Sequence, residues 1–143
     1  MGSYKHIETC VGKYISEHYT SAVEVGVGHN PGAALLIHTA GVPVRCTDIH
    51  QREVPAGIVF SIDDIFDPDL SLYAGTGVIY AIRPAEEMVP PMIALAKKIS
   101  CDLLICHLGF ESWGDGGEKI DCGVILHRYH RGSEPVKEGG LGR

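Results

Sequence analysis

Hydrophobic positions along the chain fall into two rhythms. Between His6 and Tyr19, Ile7, Cys10, Val11, Tyr14, Ile15 and His18 recur at spacings of three and four, which predicts an amphipathic helix. Ser21–Gly26 (SAVEVG) is short, β-rich and stopped by glycine, which predicts a buried strand. Pro31–Ala40 predicts a short helix that Asn30 could cap, with Pro31 suited to its first turn and Gly41 to its end. Further strands are predicted at Val42–Thr47, leading into Asp48, and at Gly57–Ser61, Gly77–Ile82, Asp102–His107 and Ile120–His130. The last would carry Cys122, Val124, Leu126 and Arg128 on one face. Ala85–Ser100 predicts a helix whose regular part starts at Pro90 and Pro91. Trp113–Lys119 holds three glycines and predicts a turn.

The strands at Ser21–Gly26, Gly57–Ser61, Gly77–Ile82 and Asp102–His107 are continuous apolar runs. Such runs belong to strands buried on both faces, in a parallel sheet covered by helices. The expectation is an α/β, Rossmann-like three-layer sandwich with a mainly parallel sheet. Right-handed crossovers give the order 3-2-1-4-5, with the Ile120–His130 strand at the strand-5 edge. Two connections leave helices missing or reduced to one turn: Ile49–Ala56 is short for a crossover, and Asp63–Thr76 is broken by Pro68 and Gly75. One domain over residues 1–137 is expected, with a glycine-rich, frayed tail over 138–143.

Composition narrows the class. The net charge of −6 argues against a general nucleic-acid surface. Arg128, Tyr129, His130 and Arg131 form one local basic patch, most simply a solvated strand end. Five cysteines, an odd number with no Cys-x-x-Cys pair, fit a reduced intracellular protein and not a disulfide scaffold or zinc module. No apolar run has the length of a membrane span and residues 1–7 lack a signal-peptide core, so a cytoplasmic protein without a membrane partner is expected.

Val23–Gly32 (VEVGVGHNPG) carries the chemistry. A strand runs into Gly26, Gly28 and Gly32, and a helix follows. Glycines there let the backbone turn sharply and let a ligand approach, and the helix start offers N–H donors. The spacing is G-x-G-x-x-x-G, one residue longer than the dinucleotide fingerprint, with Asn30 near the place of the missing glycine. Asp48 follows Gly26 by 22 positions (48 − 26), where a carboxylate can accept from ribose hydroxyls. A nucleotide-like small molecule is the expected ligand. A plain glycine-containing turn with a solvated aspartate is the competing reading.

Glu24-Val25-Gly26-Val27-Gly28 resembles the first motif of class I S-adenosylmethionine-dependent methyltransferases, an acidic residue before a G-x-G loop. By the same resemblance Asp48 matches their ribose-binding acid, and Asp63-Asp64-Ile65-Phe66 their third motif near the adenine. The whole chain is similar to a small uncharacterised archaeal family, uncharacterised protein family 146, which is Rossmann-like. The resemblance implies S-adenosylmethionine as cofactor, held by Glu24, Gly26, Gly28, Asn30, Gly32, Asp48, Asp63 and Asp64. The Asp/Asn-Pro-Pro-aromatic motif that many N-methyltransferases carry after strand 4 is replaced here by Ala81-Ile82-Arg83-Pro84-Ala85.

Other residues admit two readings. Glu24, inside an apolar strand, either serves the site, by ordering the loop amides or facing a ligand amino group, or is a paired structural carboxylate. Arg83 is a catalytic candidate that could fork onto an anion, or a salt-bridge partner of Asp63, Asp64, Glu86 or Glu87. His107 is the other catalytic candidate; with His29 and His50 it falls near one sheet edge, but no ligand spacing supports a metal. Trp113 either covers a ligand or packs in the core. Three functions compete: a methyltransferase or degenerate relative, a non-catalytic ligand- or partner-binding module open to homo-oligomer formation, and a small NAD-dependent oxidoreductase, which the shifted third glycine disfavours.

Overall fold

A computed structural model describes residues 3–132. The chain runs α1 (Ser3–His18), β1 (Ala22–Val25), α2 (Gly32–Thr39), β2 (Val44–Asp48), β3 (Val59–Ile62), β4 (Val78–Ile82), α3 (Val89–Ile99), β5 (Asp102–Cys106), β6 (Glu118–Asp121) and β7 (Ile125–His130). The seven strands form one sheet in the order 3-2-1-4-5-7-6. β1 to β5 pair in parallel, and β7 and β6 add an antiparallel end. The expected order 3-2-1-4-5 is thus observed, with β1 inside the sheet.

Helices cover both faces. On one, Val11 and Ile15 of α1 and Ala33, Ala34 and Ile37 of α2 pack over Cys46, Tyr80 and Leu104. Gly12 lets α1 and α2 approach closely: a β-carbon there would lie 3.0 Å from the Ala33 carbonyl oxygen. On the other face, Val89, Met92, Leu95 and Ala96 of α3 pack over Val25, Ile79, Leu103 and Ile105. The side chains alternate between the two layers along each strand, so Glu24 and Tyr80 point towards α1 and α2 while Val23, Val25 and Ile79 point towards α3.

Four expectations need correction. Ile120–His130 is not one strand: the chain reverses at Gly123, whose φ of +105° suits glycine, and β6 and β7 form a hairpin. Glu118 and Lys119, expected in the turn, already belong to β6. β3 is not buried on both faces, because it is the sheet edge and Val59 and Ile62 are exposed. Asn30 does not cap α2: Pro31 holds the N-cap position and no side chain bonds there. The shortened connections are as expected. Among the described residues no helix links β2 to β3, and only a 3-10 turn at Leu70–Leu72 interrupts the link from β3 to β4. A second 3-10 turn, Glu86–Met88, leads into α3, which carries its prolines in the first turn.

The basic patch is consumed by structure. Arg128 pairs with Asp102 at 3.3 Å and Glu118 at 2.9 Å, and Arg131 pairs with Glu118 at 3.1 Å. Asp102, 1 % exposed, also accepts the Tyr19 hydroxyl at 2.6 Å and the Gly132 amide at 2.7 Å. All five cysteines are free thiols. Among the described residues no helix is long and apolar enough to cross a membrane. The tail over 138–143 lies outside the described residues.

Candidate functional site

The C-terminal ends of β1, β2, β3 and β4 converge on the glycine loop. Gly26 and Val27 leave β1 by donating to the Thr47 carbonyl at 2.9 and 3.2 Å, which keeps the loop stitched to β2. Gly26 and Gly28 then take φ values of +73° and +56°, a conformation that costs L-residues ~1–2 kcal/mol. Each glycine is therefore needed by the turn itself, before any ligand is considered.

Asp48 ties this turn down. Its Oδ2 accepts the Gly28 amide at 2.8 Å and its Oδ1 the His50 amide at 3.0 Å, while Arg52 Nε lies 3.3 Å from Oδ1. Burial alone would raise its carboxyl, but the two N–H bonds and the Arg52 charge outweigh this and hold it below the usual range. Asp48, and not Glu24, orders the loop amides. Each carboxylate oxygen has a second lone pair, so a hydroxyl donor can still be received. Arg52 also reaches His29 at 3.0 Å, closing the loop from the side.

Two cavities flank Gly26, which lines both. The first, about 230 Å³, lies between Asp48, Asp63, Asp64, Ile65, Phe66 and Met88. Its walls are largely apolar, and Phe66, 59 % exposed, stands at its rim. Asp63 and Asp64 shape this wall. Asp63 accepts Tyr73 Oη at 2.6 Å and the Asp69 amide at 3.0 Å, and Asp64 accepts the Phe66 amide at 3.0 Å. The second cavity, about 300 Å³, is lined by Glu8, Glu24, Gly28, Asn30, Arg83 and Leu108. Both volumes fall near the lower end of the range for small-molecule sites, about 300–1,000 Å³.

Glu24 forms the floor of the second cavity. It is 2 % exposed and accepts the Tyr80 hydroxyl at 2.8 Å. Burial drives its carboxyl up, the Tyr80 bond pulls it back and the Glu8 charge adds to the rise, leaving it at about 8. Arg83 continues from β4 with φ +55°, its amide donating to the Cys106 carbonyl at 2.7 Å. A non-glycine residue held in this region at a cavity wall is the kind of local strain that gathers at working sites. Its charge acts on Glu8, partly offsetting the rise that burial gives that carboxyl. Gly32 lines neither cavity, because Glu8 lies over it.

His107 lies apart, in an aromatic cluster beyond the end of β5. Its Nε2 is 2.6 Å from the Tyr129 hydroxyl, and its ring meets His127 edge-on at 4.9 Å. The Tyr129 oxygen also accepts the Trp113 amide at 2.9 Å. Burial and the His127 charge push the His107 pKa down, so it favours the neutral ring. Trp113 packs against Tyr129, so its role here is in the cluster. Among the described residues no set of His, Cys, Asp and Glu is arranged to hold a metal ion.

The profile of the Uncharacterised protein family UPF0146 matches residues 8–116. The chain belongs to that family. A UPF0146 protein of Archaeoglobus fulgidus is 35% identical over 96 residues, 66% of this chain and 74% of that one. Another, from Pyrococcus horikoshii, is 37% identical over 112 residues, 75% and 86% of the two chains. Among solved structures, the CcbJ methyltransferase from Streptomyces caelestis superposes with a TM-score of 0.54 at 14% identity, over 72% of this chain and 52% of that one. The N-terminal domain of EvdMO1, solved with SAH bound, gives 0.52 at 14% identity, over 81% and 54%. This UPF0146 chain thus has the Rossmann-like methyltransferase fold and spans about half the length of those solved chains.

Seven of the eight residues expected to hold a cofactor line one or both cavities; Gly32 does not. Arg83 joins the second cavity and His107 does not. Glu8, Tyr80, Met88 and Arg52 escaped the sequence reading. Glu8 had a signal in being a polar position on the inner side of α1, three residues before Val11 and seven before Ile15. The other three reach the site through pairing and packing that no local pattern reveals.

Proposed function

We propose that this protein binds S-adenosylmethionine or a close adenosyl relative across the two cavities that meet at Gly26. The observation that carries the reading is the glycine turn, tied by Asp48, with an apolar slot on one side and a charged chamber on the other. In this reading the adenine enters the slot between Phe66 and Met88, where an aromatic edge and a thioether suit a flat ring. The ribose lies against Asp48, using the free lone pairs of a carboxylate already held in place. The tail crosses Gly28, where a β-carbon would otherwise stand, into the chamber with Glu24 and Arg83. The fold family supports the ligand class by likeness of architecture, and the residues that line the cavities fit it. When bound, such a ligand supplies a sulfonium-activated alkyl group.

The test is titration calorimetry with amide NMR at millimolar S-adenosylmethionine and its demethylated product. Binding with shifts confined to Val23–Gly32, Asp48–Arg52 and Asp63–Phe66 is expected. Absence of any shift at millimolar ligand would remove the proposal.

A further inference from the structure

The start of α2 is where an anionic tail would be received, because unpaired N–H groups and the positive end of the helix lie there. That seat is taken. A β-carbon at Gly32, the first residue of α2, would land on the Glu8 carboxylate. Glu8 is delivered by α1, whose close crossing of α2 at Gly12 fixes it there. The same carboxyl lines the second cavity; burial raises its pKa and the Arg83 charge offsets only part of that rise. Arg83 therefore already faces a resident acid. On the floor of the cavity stands a second carboxyl group, Glu24. A ligand carboxylate entering here would meet two acids and a guanidinium whose charge already acts on one of them. A ligand ammonium would meet two acids able to receive it.

From this arrangement we infer that the second cavity selects an adenosyl ligand whose tail ends in an amine and carries no carboxylate. The inference rests on the adenosyl reading above and narrows it. Glu8 stands where an amino-acid carboxylate would otherwise sit. Glu24, on the floor of the cavity, is the group that receives the ammonium.

Three probes separate the possibilities: methylthioadenosine, which has no charged tail; S-adenosylmethionine, with an amino-acid tail; and decarboxylated S-adenosylmethionine, with an aminopropyl tail. Calorimetry at pH 7.5 should give the aminopropyl compound at least tenfold tighter binding than either of the others. Glu8→Gln should raise the affinity for S-adenosylmethionine at least threefold and leave methylthioadenosine unchanged. Glu24→Gln, nearly isosteric, should bring the aminopropyl compound down to the affinity of methylthioadenosine. It serves as the decisive variant if Glu8→Gln does not fold. If methylthioadenosine binds while S-adenosylmethionine binds as tightly as the aminopropyl compound, the tail inference fails and the adenosyl reading stands. If none of the three binds at millimolar concentration, both fail.

Discussion

Replacing Glu24 by glutamine should change how stability depends on pH. Glu24 is buried beneath α1 and α2 and accepts one hydrogen bond from Tyr80, so the folded protein holds its proton up to about pH 8. In the unfolded chain a glutamate releases its proton near pH ~4.3. A raised folded pKa means that the stabilisation is fully present below the unfolded value and is lost as pH rises through the folded one. The loss amounts to ~1.4 kcal/mol per pH unit inside that window. Between pH 5 and pH 7 the wild-type protein should therefore lose roughly 2–3 kcal/mol through this one side chain. Glu24→Gln keeps the shape and an acceptor for Tyr80 but has no proton to lose. Urea unfolding of both proteins at pH 5, 6 and 7 isolates the effect, because every other titrating group cancels in the difference. The gap should move in favour of the variant by ~2–3 kcal/mol from pH 5 to pH 7. A gap that moves by less than ~0.5 kcal/mol would show that Glu24 is ionised in the fold and would refute the reasoning.

Three further outcomes are expected. Asp48→Ala strands the Gly28 and His50 amides and should cost ~2–4 kcal/mol in urea unfolding, with faster amide exchange at Gly28; the wild-type contribution of Asp48, whose folded pKa is depressed, should fade only as pH falls through that lowered value. Asp102→Asn should cost ~3–5 kcal/mol, because Arg128, Tyr19 and the Gly132 amide converge on a buried carboxylate; a loss under ~1 kcal/mol in the same measurement would mean that Arg128 is satisfied by Glu118 alone. Arg83→Gly should be more stable than Arg83→Ala by ~1 kcal/mol in thermal unfolding, since only glycine accepts a φ of +55° without strain; equal stabilities would place the strain elsewhere.

The parallel sheet was legible because β1, β4 and β5 are largely apolar runs, broken by Glu24 in β1 and opened by Asp102 in β5, and spaced by helical segments. The glycine loop was legible because its turn demands positive φ at Gly26 and Gly28 whatever the protein does. The β6–β7 reversal was not, because Cys122, Val124 and Leu126 continue an alternating pattern straight through Gly123. Alternation reports which face a side chain takes and is silent on whether the strand turns back. Burial of β3 was misjudged for a related reason: an apolar run cannot tell an inner strand from an edge. Asp48 stood at the expected place, but its binding to the Gly28 amide depends on a contact across 20 positions. Glu8 showed in the sequence only as a polar residue on the inner side of α1, because its place at the site depends on the crossing of two helices.

The uneven covering of the sheet makes the two ends of the site mechanically unlike. β4 and β5 are sealed between α3 and the α1–α2 pair, so their amides should be among the last to exchange with solvent. β3 is an exposed edge followed by a link with one 3-10 turn, and the Asp63–Phe66 wall hangs from it. The charged chamber thus has a stiff back and the apolar slot a compliant one. A compliant wall follows the shape of whatever fills it, whereas a stiff wall imposes its own. On the adenosyl reading proposed above, discrimination should be severe for changes to a ligand's tail and lenient for changes to the edge of its base.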